Sequence, residues 1–168
     1  MTASAYAICS ALTLLVAASQ SAPARPDFSG DWVVAETASK AGTQAGALTL
    51  TGVFGEKFTA RQTATSLTLE LSVSTLDRPI HVVYMLDGTE SKNMNPSPVK
   101  GGADEPIFSR ATWESGKLVI DTRGSQLING KPRTSRRVLT LNADGTLTVE
   151  RTAPGELPVK STYKRARE

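Results

Sequence analysis

His81 is the sole histidine among 168 residues, so any chemistry built on imidazole has one member to work with. A single imidazole cannot make a multi-histidine metal centre, and no acidic cluster at ligand spacing accompanies it, so no metal and no cofactor is expected. What remains is proton transfer near neutral pH, with a carboxylate such as Glu70 or Asp87 as the partner. The plainer alternative, preferred here, is a strand histidine whose hydrogen bonds are satisfied locally. Two Ser-x-x-Lys matches, Ser97-Pro98-Val99-Lys100 and Ser161-Thr162-Tyr163-Lys164, resemble an acyl-transfer motif that needs a helix to bring lysine under serine. One lies in a Pro-rich stretch and the other in a strand-like run, where positions three apart face opposite ways, so both are chance matches. Asp87-Gly88-Thr89 and Asp144-Gly145-Thr146 are explained by turn chemistry alone.

Lys131, Arg133, Arg136 and Arg137 form the polar group with the most specific chemistry to offer. Arg133 and Arg137 share strand parity, so both guanidinium groups could grip a carboxylate or phosphate head group at the mouth of a closed sheet. The competing role is a solvated rim that favours solubility. Residues 25–122 carry 9 basic and 12 acidic side chains, whereas 123–168 carry 10 and 4, so the basic character belongs to the C-terminal part. Few aromatic residues stand among those cations to stack bases, and nucleic acid is not an expected partner.

The elements that must hold these residues follow from a period-two pattern. Leu67, Leu69, Leu71 and Val73 alternate with Thr68, Glu70, Ser72 and Ser74, and Leu147 and Val149 alternate with Thr148 and Glu150. Such spacing buries one face of a strand and wets the other, the mark of an antiparallel sheet covered on one side. No window carries a sustained helical stripe. Asn129-Gly130, Glu114-Ser115-Gly116 and Asn142-Ala143-Asp144-Gly145 punctuate the runs as hairpin turns. Strands are expected at 28–35, 48–54, 57–63, 66–74, 79–86, 107–114, 117–127, 132–142, 146–152 and 158–165. The fold class is therefore all-β, an antiparallel up-and-down meander of about eight to ten strands that closes into a barrel to remove its edges. A two-sheet sandwich is the alternative. Residues 87–106, rich in Pro, Gly and Asn, are expected to form a long loop, either plain flexible surface or a lid at the barrel mouth that controls access to the interior.

The first 24 residues contain no charged side chain and hold an apolar core at 5–18, too short for the roughly 20 residues of a membrane span. They read as an export signal, with small residues at Ala18 and Ala24 as alternative cleavage positions. Residues 25–168 then form one domain in a periplasmic or secreted location, with no membrane span after signal removal. The only cysteine, Cys9, lies inside the leader, leaving the mature part without a thiol or disulfide. About 145 residues suffice to bury about 70% of the unfolded surface in one core.

Phe28-Ser29-Gly30-Asp31-Trp32 contains Gly30-x-Trp32 at the start of the first expected strand, which resembles the Gly-x-Trp signature of the lipocalin and broader calycin barrels. The resemblance implies that Trp32 plugs one barrel end and that a cation near the last strand packs across its ring. Val159, Ser161, Tyr163 and Arg165 share a face there, which makes Arg165 the candidate, with Gly30, Trp32 and Arg165 as the structural plug. No counterpart of the family's Thr-Asp-Tyr motif is present. Segments such as DFSGDWVV, VVYMLDGTESKNMNP and RRVLTLNADGTLTVERT are similar to a group of small secreted bacterial proteins, which implies export and β structure but no particular reaction. The expected function is binding of a small apolar or amphipathic ligand, or an anionic one, in a barrel lined by Trp32, Leu69, Leu118, Ile120, Leu139 and Val149, with Arg133 and Arg137 at the mouth. The alternatives are a secreted enzyme using His81 with a carboxylate, and a cell-envelope interaction protein working through its outer surface.

Overall fold

The computed structural model describes residues 25–38, 54–72, 78–97 and 102–166. The expected export signal at 1–24 lies outside the described residues, as does all of the expected strand at 48–54 except Phe54, which precedes a strand instead of belonging to one. The described chain forms β1 (Gly30–Ala38), β2 (Lys57–Gln62), β3 (Ser66–Ser72), β4 (Ile80–Met85), β5 (Glu90–Asn95), β6 (Glu105–Glu114), β7 (Lys117–Ile128), β8 (Lys131–Leu141), β9 (Leu147–Thr152) and β10 (Val159–Arg165). All ten lie in one antiparallel sheet of order β4-β3-β2-β1-β10-β9-β8-β7-β6-β5. Each strand pairs with its chain neighbour, except across the β4/β5 seam, and β1 returns to pair with β10 in the register Trp32 to Arg165. The result is an up-and-down barrel, and the sandwich alternative is ruled out by the single continuous sheet.

Alternation does the work expected of it. In β3, Leu67, Leu69 and Leu71 are buried while Glu70 is exposed, and in β4 Ile80, Val82 and Tyr84 are buried while His81 and Val83 are exposed. The β7–β8 hairpin turns at Asn129 (φ 53°) and Gly130 (φ 75°), the two consecutive positive φ values that a type I′ turn requires. Asn and Gly tolerate that region best, which is why this pair can end one strand and begin the next.

The long lid expected at 87–106 is a correction. Asp87 accepts hydrogen bonds from the Thr89 amide (2.9 Å) and hydroxyl (2.7 Å), closing a tight turn, and the chain immediately forms β5 and pairs Glu90–Asn95 with β6. Strand β5 reads ESKNMN, with Ser91 and Asn93 on its inward face, so hydrophobic periodicity could not reveal it. Strand β6 begins at Glu105, two residues earlier than expected.

The β4/β5 seam is where the barrel ladder is interrupted. Asn93 spans it: its Oδ1 accepts from the Val83 amide at 2.8 Å and its Nδ2 donates to the Val83 carbonyl at 2.9 Å. One side-chain amide thus supplies the pair of bonds that a backbone neighbour would make, satisfying a strand edge that is otherwise left open.

Candidate functional site

The end of the barrel at which β1 starts, called lower here, is sealed with apolar and aromatic groups. Trp32 is fully buried, and its Nε1 donates to the Phe28 carbonyl at 2.9 Å. Phe28 stacks on Trp113 with ring centroids 5.9 Å apart, so residues 25–29 lie across the opening. Gln62 anchors that segment by accepting from the Phe28 amide and donating to the Pro26 carbonyl. Arg165 lies 4.7 Å from the Trp32 ring centroid and donates from Nη1 to the Ser29 carbonyl. Gly30 has φ +134°, and a Cβ there would collide with the Arg165 guanidinium, so glycine is required for the arginine to reach its seat. Leu118, Leu139 and Leu147, each buried, complete this end.

Higher in the barrel, the two walls diverge. On β3 and β4 the inward residues are Leu69, Leu71, Ile80 and Val82, all aliphatic. On β5 to β9 they include Ser91, Asn93, Ser109, Thr122, Ser135, Arg137 and Arg151, all buried. Ser91 faces Ser109, Ser109 faces Thr122 and Thr122 faces Ser135 in the strand registers, forming a row of hydroxyls across four strands. Ser91 Oγ donates to the Ser109 carbonyl (3.2 Å), and Ser109 Oγ lies 2.9 Å from Thr122 Oγ1. Arg137 Nη1 donates to Thr122 Oγ1 at 3.4 Å, and its guanidinium lies 5.7 Å from the Phe54 ring centroid.

Arg137 is 0% exposed and stands directly across from Ile120 on β7 and Arg151 on β9. Burial pushes its pKa below the usual guanidinium range; the Tyr84 phenol opposes that shift and the neighbouring Arg151 adds to it. The buried Tyr84 hydroxyl is pushed up by desolvation, as is that of Tyr163, which donates to the Gly55 carbonyl at 3.1 Å. Arg151 is held at the upper rim by Glu156 (2.7 Å), whose carboxyl lies below the ordinary carboxylate range, chiefly because of that hydrogen bond. Burial costs a charged group dearly unless opposite charge or strong hydrogen bonds meet it, and here Arg151 has the Glu156 carboxylate and Arg137 the Thr122 hydroxyl.

Of the residues expected to line the interior, Trp32, Leu69, Leu118, Ile120, Leu139, Val149 and Arg137 are buried within the barrel. Arg133 is 45% exposed at the rim and pairs at 3.2 Å with Glu156, the carboxylate that also holds Arg151. The exposure follows from strand length: β8 begins at Lys131 but meets β9 only from Arg136 onward, so residues 131–134 stand above the wall, exposed on both faces. His81, on which the enzyme alternative rests, lies on the outer face of the barrel, 61% exposed and 3.9 Å from Glu70 on the neighbouring strand, while Asp87 is engaged in its turn. Among the described residues, no group of three or more His, Cys, Asp or Glu side chains could hold a metal ion.

Sequence reasoning missed Arg151, Thr122, Ser135, Ser109 and Asn93. Arg151 was legible, since it shares parity with Leu147 and Val149 and so continues an apolar face with a cation. The hydroxyls carried no such signal. Outside the wall, two open grooves of about 550 and 710 Å3 adjoin around Thr134, Ala153 and Pro154; the first is lined by outward side chains such as Arg110, Asp121 and Arg136, the second by Lys131 and Arg133.

No family model matches this sequence, and no curated protein matches it either. Among solved structures, the crystal structure of a mutant of the fluorescent protein UnaG is similar, with a TM-score of 0.57 and 21% identity over 84% of this chain and 97% of that chain. The likeness is one of fold: the nearly closed ten-strand antiparallel meander, with β1 paired to β10, matches a calycin-like barrel.

Proposed function

We propose that the protein binds a small amphipathic anion inside the barrel, its apolar body against Leu69, Leu71, Ile80 and Val82 and its acidic group toward Arg137 and Arg151. The observation that carries this reading is the fully buried side chain of Arg137 paired in register with a second buried arginine, Arg151, on the neighbouring strand. Calycin-like barrels bury ligands in their interiors, and here the polar groups converge from β5 to β9. Arginine suits a carboxylate or phosphate because its planar donors match two acceptor oxygens. The test is displacement of the fluorescent anion anilinonaphthalenesulfonate from the purified protein by decanoate, with decanol as the uncharged control. Displacement by decanoate alone fits the reading, and equal displacement by both would remove the role of the arginines. The role this reading gives the protein is carriage or sequestration, with His81 outside the ligand's path on the outer face of the barrel. Export of the chain through residues 1–24 belongs to the same proposal, and N-terminal sequencing of the protein recovered outside the cytoplasm, starting after Ala18 or Ala24, would support it.

A further inference from the structure

Resting on the reading above, we infer that the ligand is a hydroxylated or oxo acid, with an oxygen function close to its anionic group, in preference to a plain alkyl acid. The row Ser91, Ser109, Thr122, Ser135 carries the argument. Its first three members are joined to one another: Ser91 donates to the Ser109 carbonyl, and Ser109 meets Thr122 hydroxyl to hydroxyl. Ser135 sits at the end of the row, 5% exposed, and its Oγ has no hydrogen-bond partner. A buried hydroxyl left without a partner is destabilising, and native interiors seldom keep one without a use for it.

Position makes that use specific. Thr122 lies directly across from Ser135 in the strand register and receives Arg137 Nη1 on its own hydroxyl. Arg137 Nη1 therefore bonds the residue whose Cβ stands about 5 Å from that of Ser135 across the strand pair. Arg151 adds a second unsatisfied donor at this level: its Nε is buried without a partner while its Nη1 is engaged by Glu156. A carboxylate resting on Arg137 places its first few carbons beside Ser135 Oγ, and an oxygen on one of those carbons completes the row. The Ser135 hydroxyl both donates and accepts, so it serves a hydroxyl or a ketone. A plain acid instead presents methylene groups to it and leaves it orphaned. A site built to hydrogen-bond a ligand oxygen rejects the analogue lacking it, because the buried partner then goes unsatisfied.

The experiment compares decanoate with β-hydroxydecanoate as competitors of anilinonaphthalenesulfonate on the purified full chain, using wild type and Ser135→Ala. The inference predicts that the hydroxy acid competes about tenfold more tightly in wild type, the worth of one such hydrogen bond. In Ser135→Ala the two acids become equal. Equal affinities of the two acids in wild type would overturn the inference and leave anion binding standing, as would a preference that survives in Ser135→Ala. Failure of both acids to displace the probe from wild type would overturn the interior-anion reading and this inference together. The wild-type comparison stands independently of how the variant folds.

Discussion

At the lower end of the barrel Trp32, Leu118, Leu139 and Leu147 meet beneath Arg165, and Phe28 stacks on Trp113 across the opening. Farther along the same strands, β7, β8 and β9 turn Thr122, Ser135, Arg137 and Arg151 into the same interior. The lower end is what a sequence makes when burial alone is at stake: aromatic plugs, aliphatic contacts and one cation stacked on an indole. The upper half keeps two guanidinium groups and a row of hydroxyls where leucines would give greater stability. Strand geometry is common to both, so the difference lies in what each region is kept for. The plug maintains the barrel, and under the proposed function the polar wall receives the ligand's acidic group.

Substitutions at the two ends should therefore part stability from binding. Trp32→Ala removes the largest buried side chain of the plug and should cost about 3–5 kcal/mol, read as a fall in urea midpoint. A loss below about 1 kcal/mol would show that the lower end is not the stabilising half. Arg137→Met fills similar space without the charge, and should leave stability unchanged or raise it by about 1–4 kcal/mol while abolishing binding of an anionic probe. A strongly destabilised Arg137→Met protein would make that arginine a structural group like those below it.

Asn93→Ala tests the seam between β4 and β5. It leaves the Val83 amide and carbonyl unbonded and should cost about 1–3 kcal/mol, with faster hydrogen exchange at Val83 than at Val82. Unchanged exchange at Val83 would show the seam to be closed by other contacts. The smallest effect concerns acid. Glu156 has a folded pKa below its ordinary value of 4.5, chiefly through Arg151. Its contribution to stability is therefore present above that ordinary value and fades as pH falls through the depressed folded value. Glu156→Gln should flatten this part of the acid limb, and the effect is modest because the pair sits at a solvated rim. An acid limb as steep as that of wild type would remove Glu156 from the account.

Much of the barrel was legible because burial of one face writes itself as alternation: β3, β4 and β9 were readable from leucines and valines two apart, and the β7–β8 turn from Asn129-Gly130. Strand β5 was not, since its inward residues are Ser91 and Asn93 and its turn resembles the start of a loop. The site was legible in part for the same reason. Arg137 was recognisable as a cation on a strand, but parity alone joined it to Arg133, because parity does not reveal where β9 stops and leaves the end of β8 without a neighbour. Ser109, Thr122 and Ser135 form a row only through pairings between strands far apart in the chain, which no local window contains.

The central claim, that the buried arginines of the upper half receive the acidic group, is tested most directly by the arginine side-chain NMR signals during titration with decanoate. The account predicts that the Nε–Hε resonances of Arg137 and Arg151 shift saturably and those of Arg110, Arg123 and Arg136 stay in place. Shifts confined to those outer arginines, with Arg137 unmoved, would contradict it and place the anion on the outside of the wall.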